Sequence, residues 1–249
     1  MYKNYKISKP FFEFGPKAYM YGNELLKLAQ AIDRIAQKYE MDVVLDPQTT
    51  DLRLIASNTS ERIHVYAQHM DSIPVGRGMG SVLAEAVKAT GAVGVMLNHA
   101  EHKLSLDEIA ASIRRADEVG LATMVCADSE DEIRAVAELS PNIIVAEPSE
   151  LIGTGIAVGR EYVDACIRLV KSVNPDIMVL PSAGISCGND CYNIIRAGAE
   201  ASGSSSGICK AADRAAMAEE MMSAVRRAWN ETHYALFSVI KQTPPDKFF

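Results

Sequence analysis

From Pro10 onward, short apolar runs alternate with longer segments in which apolar residues return every three or four positions. The short runs read as buried strands and the longer ones as helices with one apolar face, a βα pattern that builds a parallel sheet. Candidate strands fall at 11–14, 42–45, 63–67, 92–97, 121–126, 142–146, 176–180 and 199–203. Candidate helices include 23–38, 106–119, 162–172 and 212–229, each with apolar positions three or four apart. Eight strands, each followed by a helical stretch, fit a closed (βα)8 barrel of the α/β class better than an open sheet. The eighth strand is the weakest, because its small residues also suit a loop or a close approach of backbone to a ligand.

A chain of 249 residues matches one such barrel, so residues 1–249 are read as a single domain with a C-terminal extension at about 230–249. Tyr234, Leu236, Phe237, Val239 and Ile240 make the extension too apolar for a free linker, so it is expected to pack on a surface. Hydrophobic residues make up 48% of the chain and charged residues 23%, enough to bury a substantial core. A net charge of −7 gives no broad positive field, which argues against nucleic acid and anionic membrane as partners. No apolar run reaches signal-peptide or membrane-spanning length, so a cytoplasmic location is expected. Five cysteines without CxxC spacing argue against a disulfide framework or a zinc site, and no metal is expected.

In a barrel of this kind the active site forms at the carboxyl ends of the strands. There the chain carries Lys17 after strand one, His99 and Glu101 after strand four, Glu147 after strand six and Ser182 to Ser186 after strand seven. Singly, each has a structural explanation: a solvated loop charge, a polar cap, a carboxylate leading a helix. Together they supply a base, a neutral electrophile and a cation, the set needed to move a proton beside a carbonyl. Glu147 precedes a loop with an apolar tip and two glycines, Gly153 and Gly155, as expected of a lid that closes over a ligand. Ser204 to Gly207 follows strand eight and offers main-chain donors to a phosphate at a short helix start, although a flexible serine loop is the plain alternative.

Tyr66-Ala67-Gln68-His69, Asn98-His99-Ala100-Glu101-His102, Ala146-Glu147-Pro148, Glu150-Leu151-Ile152-Gly153-Thr154-Gly155 and Ala183-Gly184-Ile185-Ser186 occur in this order. In these motifs the chain resembles the triosephosphate isomerase family, particularly its shorter archaeal form. The resemblance implies a TIM barrel that interconverts an aldose and a ketose phosphate, glyceraldehyde 3-phosphate and dihydroxyacetone phosphate, through an enediolate, with a place in glycolysis and gluconeogenesis. Lys17 then corresponds to the substrate-binding cation, His99 to the imidazole that polarises the carbonyl, Glu147 to the base and Glu101 to the carboxylate supporting Lys17. That family is itself the standard case of a glutamate base opposite a neutral histidine. The phosphate is expected against Ile152, Gly153, Gly184, Ser186, Ser205, Ser206 and Gly207. No cofactor is implied, and a homodimer or homotetramer is.

Two positions depart from the family pattern. Gly15 stands where the family has Asn, and Met79 stands where a Thr reaches that Asn across a subunit interface. Replacing both ends of one hydrogen bond can be nearly neutral. The change is expected to open space beside the sugar, and so to raise two alternatives: a longer ketose phosphate such as a tetrulose phosphate, or a phosphosugar-binding barrel without catalysis.

Overall fold

The computed structural model describes the backbone of residues 1–240 and side chains through residue 233. Eight strands form one parallel sheet in the order β7-β6-β5-β4-β3-β2-β1-β8. They are β1 (Phe11–Phe14), β2 (Asp42–Leu45), β3 (Ile63–Ala67), β4 (Gly94–Leu97), β5 (Ala122–Ala127), β6 (Ile143–Ala146), β7 (Met178–Pro181) and β8 (Ala201–Gly203). Every neighbouring pair from β7 round to β8 is parallel, and β7 also lies against β8, so the sheet curls into a nearly closed barrel. The expected strands at 92–97, 142–146, 176–180 and 199–203 begin one or two residues later than their apolar runs. Gly94 opens β4 and Gly203 closes β8, and residues just before the strands still hydrogen-bond to their neighbours, as Val93 N–H does to the Val65 carbonyl at 2.9 Å.

Between the strands run α1 (Gly22–Lys38), α2 (Leu52–Ala56), α3 (Ala84–Ala89), α4 (Leu106–Val119), α5 (Glu130–Glu138), α6 (Arg160–Val173), α7 (Gly188–Arg196), α8 (Ser206–Cys209) and α9 (Arg214–Ile240). α4 shows how the sequence sets its own ends. Ser105 and Glu108 form a reciprocal capping box at its start, and Gly120, with φ 78°, ends it in the left-handed conformation. The helix expected at 212–229 continues to Ile240, so residues 230–240 prolong α9 rather than form a separate tail. Trp229 stacks on His233, and Arg196 Nη1 donates to Thr232 Oγ1 at 3.0 Å, tying this extra length to α7. The packing expected of Tyr234 to Ile240 concerns side chains that are not described, and residues 241–249 lie outside the described residues.

Successive strand side chains point to opposite faces, and in a closed sheet this divides the core in two. Phe12 and Phe14 face the surrounding helices, whereas Phe11 joins Val44, Tyr66, Met96, Met124, Ile143, Val145 and Leu180 inside the barrel. The N-terminal segment closes the bottom: Tyr5 packs edge-on against Tyr66, and its hydroxyl meets His64 Nδ1 at 3.1 Å. The same alternation carries Glu13, and Asp46 just past β2, into the interior at the open top.

Tyr66 is fully buried, and its ring packs against Gly94 on the next strand. A Cβ on Gly94 would stand 2.3 Å from Tyr66 Cζ. Gly94→Ala should therefore cost roughly 1–3 kcal/mol through overpacking and lower the melting temperature by several degrees. An unchanged thermal midpoint would show that the ring moves freely and that this contact does not define the barrel interior.

Candidate active site

Lys17 follows β1 in a conformation that side chains seldom adopt, with φ 48°. Two glutamine side chains hold it there. Gln48 Nε2 and Gln68 Nε2 donate to the Lys17 carbonyl at 2.9 and 3.1 Å, and Gln68 Nε2 also donates to the Asp46 carbonyl at 2.8 Å. The ammonium is thus aimed into the mouth, where Nζ meets Glu101 Oε1 at 2.7 Å. That contact holds the Glu101 carboxyl below its ordinary range.

After β4, Asn98 takes φ 59°, and its buried side chain secures the bend. Its Nδ2 donates to the Cys126 carbonyl and to Glu132 Oε1, both at 2.8 Å, while its Oδ1 accepts from Leu104 N–H at 2.9 Å. The bend delivers His99 to the cavity. His99 Nδ1 accepts a hydrogen bond from Glu101 N–H at 3.1 Å, so the neutral ring carries its proton on Nε2. Burial, followed by the nearby Lys17 charge, drives the His99 pKa down to about 4. The ring is neutral at physiological pH.

Glu147 extends the β5–β6 ladder one residue beyond the strand, its N–H donating to the Ala127 carbonyl at 2.9 Å, and its carboxylate projects at the mouth. His99 Nε2 lies 3.7 Å from Glu147 Oε2, too far for a hydrogen bond and not an ion pair while the imidazole is neutral. Burial raises the Glu147 pKa against the opposing effect of Lys17.

Beyond Glu147, Ser149 is pinned to Asp128 by its N–H at 3.1 Å and its hydroxyl at 2.6 Å. The loop then runs through Gly153 and Gly155, both at positive φ, to an exposed Ile156. Gly184 lets it close down: a Cβ there would lie 1.9 Å from the Ile156 carbonyl oxygen. Of the residues assigned to phosphate, Ile152, Gly153, Gly184, Ser205 and Ser206 line one cavity of about 570 Å³ together with Lys17, His99, Glu101 and Glu147. Ser186 and Gly207 do not line it. Ser186 donates through both N–H and hydroxyl to Asp190 Oδ2, and Gly207 packs under Ser204 Oγ. The serines after β8 stand at the start of α8, the short helix expected there, rather than in a flexible loop, and Ser205 Oγ is buried without a protein partner.

The space expected beside Gly15 is already filled. A Cβ there would come within 2.8 Å of Glu13 Oε1 and 3.0 Å of Asp46 Oδ2. Both carboxyls line the cavity, and sequence reasoning singled out neither. The signal available was a carboxylate inside the apolar run Phe11-Phe12-Glu13-Phe14, at an inward position in phase with Phe11. Gln48 was likewise missed, for its role depends on meeting Lys17 and Gln68 in space. No group of histidine, cysteine, aspartate and glutamate suited to a metal occurs among the described residues.

The family model for triosephosphate isomerase matches residues 15–221, well over half of the chain. The triosephosphate isomerase of Methanocaldococcus jannaschii is 41% identical over 193 residues, covering 76% of this chain and 87% of that protein. The enzyme of the same name from Methanosarcina mazei is 34% identical, covering 88% of this chain and all of its own length, and that of Sulfolobus acidocaldarius is 32% identical, covering 87% and 95%. Among solved structures, a triosephosphate isomerase from Bartonella henselae superposes with a TM-score of 0.72 at 16% identity, over 88% of this chain and 100% of the other, a likeness of fold.

In nitrogen and carbon NMR, the His99 ring should remain neutral with Nε2 protonated from pH 8 down to about 5, and titrate near 4. The sign follows from burial, which disfavours the imidazolium. A midpoint at or above the ordinary histidine value of about 6.5 would show that burial does not disfavour the imidazolium here.

Proposed function

The chain belongs to the triosephosphate isomerase family, and from that premise we propose that this cavity interconverts dihydroxyacetone phosphate and glyceraldehyde 3-phosphate through an enediolate. The observation that carries the reading is the convergence of a raised-pKa carboxylate, a neutral imidazole and a lysine on one mouth. Glu147 removes the proton from one carbon and returns it to the next. His99 donates from Nε2 to the oxygen that becomes the enediolate, and Lys17, positioned by Glu101, offsets the negative charge that develops there. The phosphate end sits against the main chain of Ile152, Gly153 and Gly184 and the donors of Ser205 and Ser206, with the unpartnered Ser205 hydroxyl supporting that placement. Closure of the loop beyond Glu147 excludes water, which protects the enediolate from losing its phosphate.

No cofactor enters this scheme. The longer-ketose alternative loses its motivation once the volume beside Gly15 is occupied, and the binding-only alternative is opposed by the intact catalytic set. We read the chain as one catalytic domain in a reducing cytoplasm. Five free cysteines support the location, and no helix among the described residues is long and apolar enough to cross a membrane. We also read the working form as a homodimer or homotetramer. The loop between β3 and α3 supports this, for it leaves Val75 largely and Met79 fully open to solvent, at 70% and 106% relative exposure.

Glu147→Gln should lower kcat for glyceraldehyde 3-phosphate by about 10²- to 10⁴-fold and abolish exchange of solvent deuterium into substrate. Unchanged exchange would show that another group is the base. Sedimentation of the active enzyme should give a species heavier than the 27.0 kDa single chain. A fully active monomer at that mass would overturn the oligomer reading.

A further inference from the structure

Glu13 and Asp46 are two carboxyls buried on the floor of the cavity, exposed only 7% and 3%. They are brought together by strand alternation: Glu13 is in phase with Phe11 on β1, and Asp46 follows Val44 on the neighbouring β2. Glycine makes room for them on both sides. Besides the Gly15 contacts, a Cβ on Gly203 of β8 would lie 2.5 Å from Glu13 Oε2. The two carboxyls hydrogen-bond each other, and Asp46 Oδ1 is sealed from solvent without a partner. Two carboxylates in contact under such burial cannot both ionise, so a proton lies between them.

The groups facing the pair are Lys17 from the end of β1, Glu147 from β6, Cys126 from β5, Cys209 from α8 and the Tyr66 hydroxyl from β3. Lys17 is the one cation among them, and it already serves Glu101. An incoming phosphorylated substrate adds further negative charge to the same mouth. The pair is compatible with such a ligand when it is protonated, and it then presents an O–H donor beside Lys17.

We propose that Glu13 and Asp46 act as a proton-holding carboxyl pair that contacts the substrate, donating a hydrogen bond to an oxygen at its non-phosphorylated end. The inference rests on the isomerase reading of the same cavity. Burial pushes the Glu13 pKa up to about 7, and that of Asp46 rises well above the usual range. Below pH 7 the pair therefore carries both protons, and one is free for the substrate. As pH rises through about 7, Glu13 ionises, the remaining proton is held between the two carboxyls, and the floor becomes anionic.

The experiment is kcat/KM for glyceraldehyde 3-phosphate from pH 5.5 to 9.5 in wild type, Glu13→Gln and Glu13→Leu, with thermal melting to verify folding and infrared spectra of the carboxyl region. Wild type should lose activity as pH rises through about 7. Glu13→Gln, which keeps a donor but cannot ionise, should stay within about tenfold of wild type at pH 6 and show no such loss. Glu13→Leu should fall about a hundredfold at pH 6, the order expected for one lost donor. A protonated-carboxyl band should be present in wild type at pH 6, absent in the Glu13→Gln/Asp46→Asn double variant, and shifted by dihydroxyacetone phosphate. The proposal is overturned by an alkaline limb in Glu13→Gln identical to wild type, by full activity in folded Glu13→Leu, by inactivity of folded Glu13→Gln at every pH, or by a band indifferent to the ligand. A wild type without turnover would defeat the isomerase reading instead, and the infrared response to ligand would still decide whether the pair meets it.

Discussion

Closure of a parallel sheet is the constraint from which the rest of this molecule follows. Once eight strands curl back on themselves, every second strand residue enters a common interior and cannot escape to solvent. Apolar residues fill that interior from the Tyr5 and Tyr66 contacts upward, and the filling stops at the carboxyl ends of the strands. What lies above is a cup whose floor and walls consist of strand-end residues. The site is accordingly a product of alternation and register, more than of any one loop.

Burial in that cup sets the chemistry. It lowers the basicity of His99, raises that of Glu147, and forces Glu13 and Asp46 to retain protons that they would release in water. Lys17 works against part of this effect at each carboxylate while deepening it at His99. A single ammonium therefore tunes groups on four strands. Its placement depends on a strained backbone held by Gln48 and Gln68, so hydrogen bonds of neutral amides underlie the electrostatics of the mouth.

The two departures from the family pattern acquire different meanings in three dimensions. Gly15 is a steric requirement of Glu13 and Asp46, whose oxygens occupy the volume that a side chain there would need. Met79 stands fully exposed on the loop between β3 and α3, away from the carboxyls that occupy the space beside Gly15. The pocket is therefore not enlarged beside Gly15, because the two carboxyls fill that volume.

Period and position carried much of this in the sequence. Apolar runs of strand length alternating with helical stretches specified eight βα units; the strands at 11–14, 42–45 and 63–67 coincide with the structure at both ends, and β4, β6 and β8 at their carboxyl ends. Lys17, His99, Glu101 and Glu147 were legible because polar residues just past strand ends stand out against apolar neighbours. Helix ends were legible where a local device marks them, as at Ser105 and Gly120, and not at Trp229, where no such device stops α9. The Glu13–Asp46 pair, the glutamine clamp on Lys17 and the withdrawal of Ser186 toward Asp190 were decided by tertiary structure alone. Each depends on which strands become neighbours and how deeply a group is buried, and those quantities exist only after the sheet has closed.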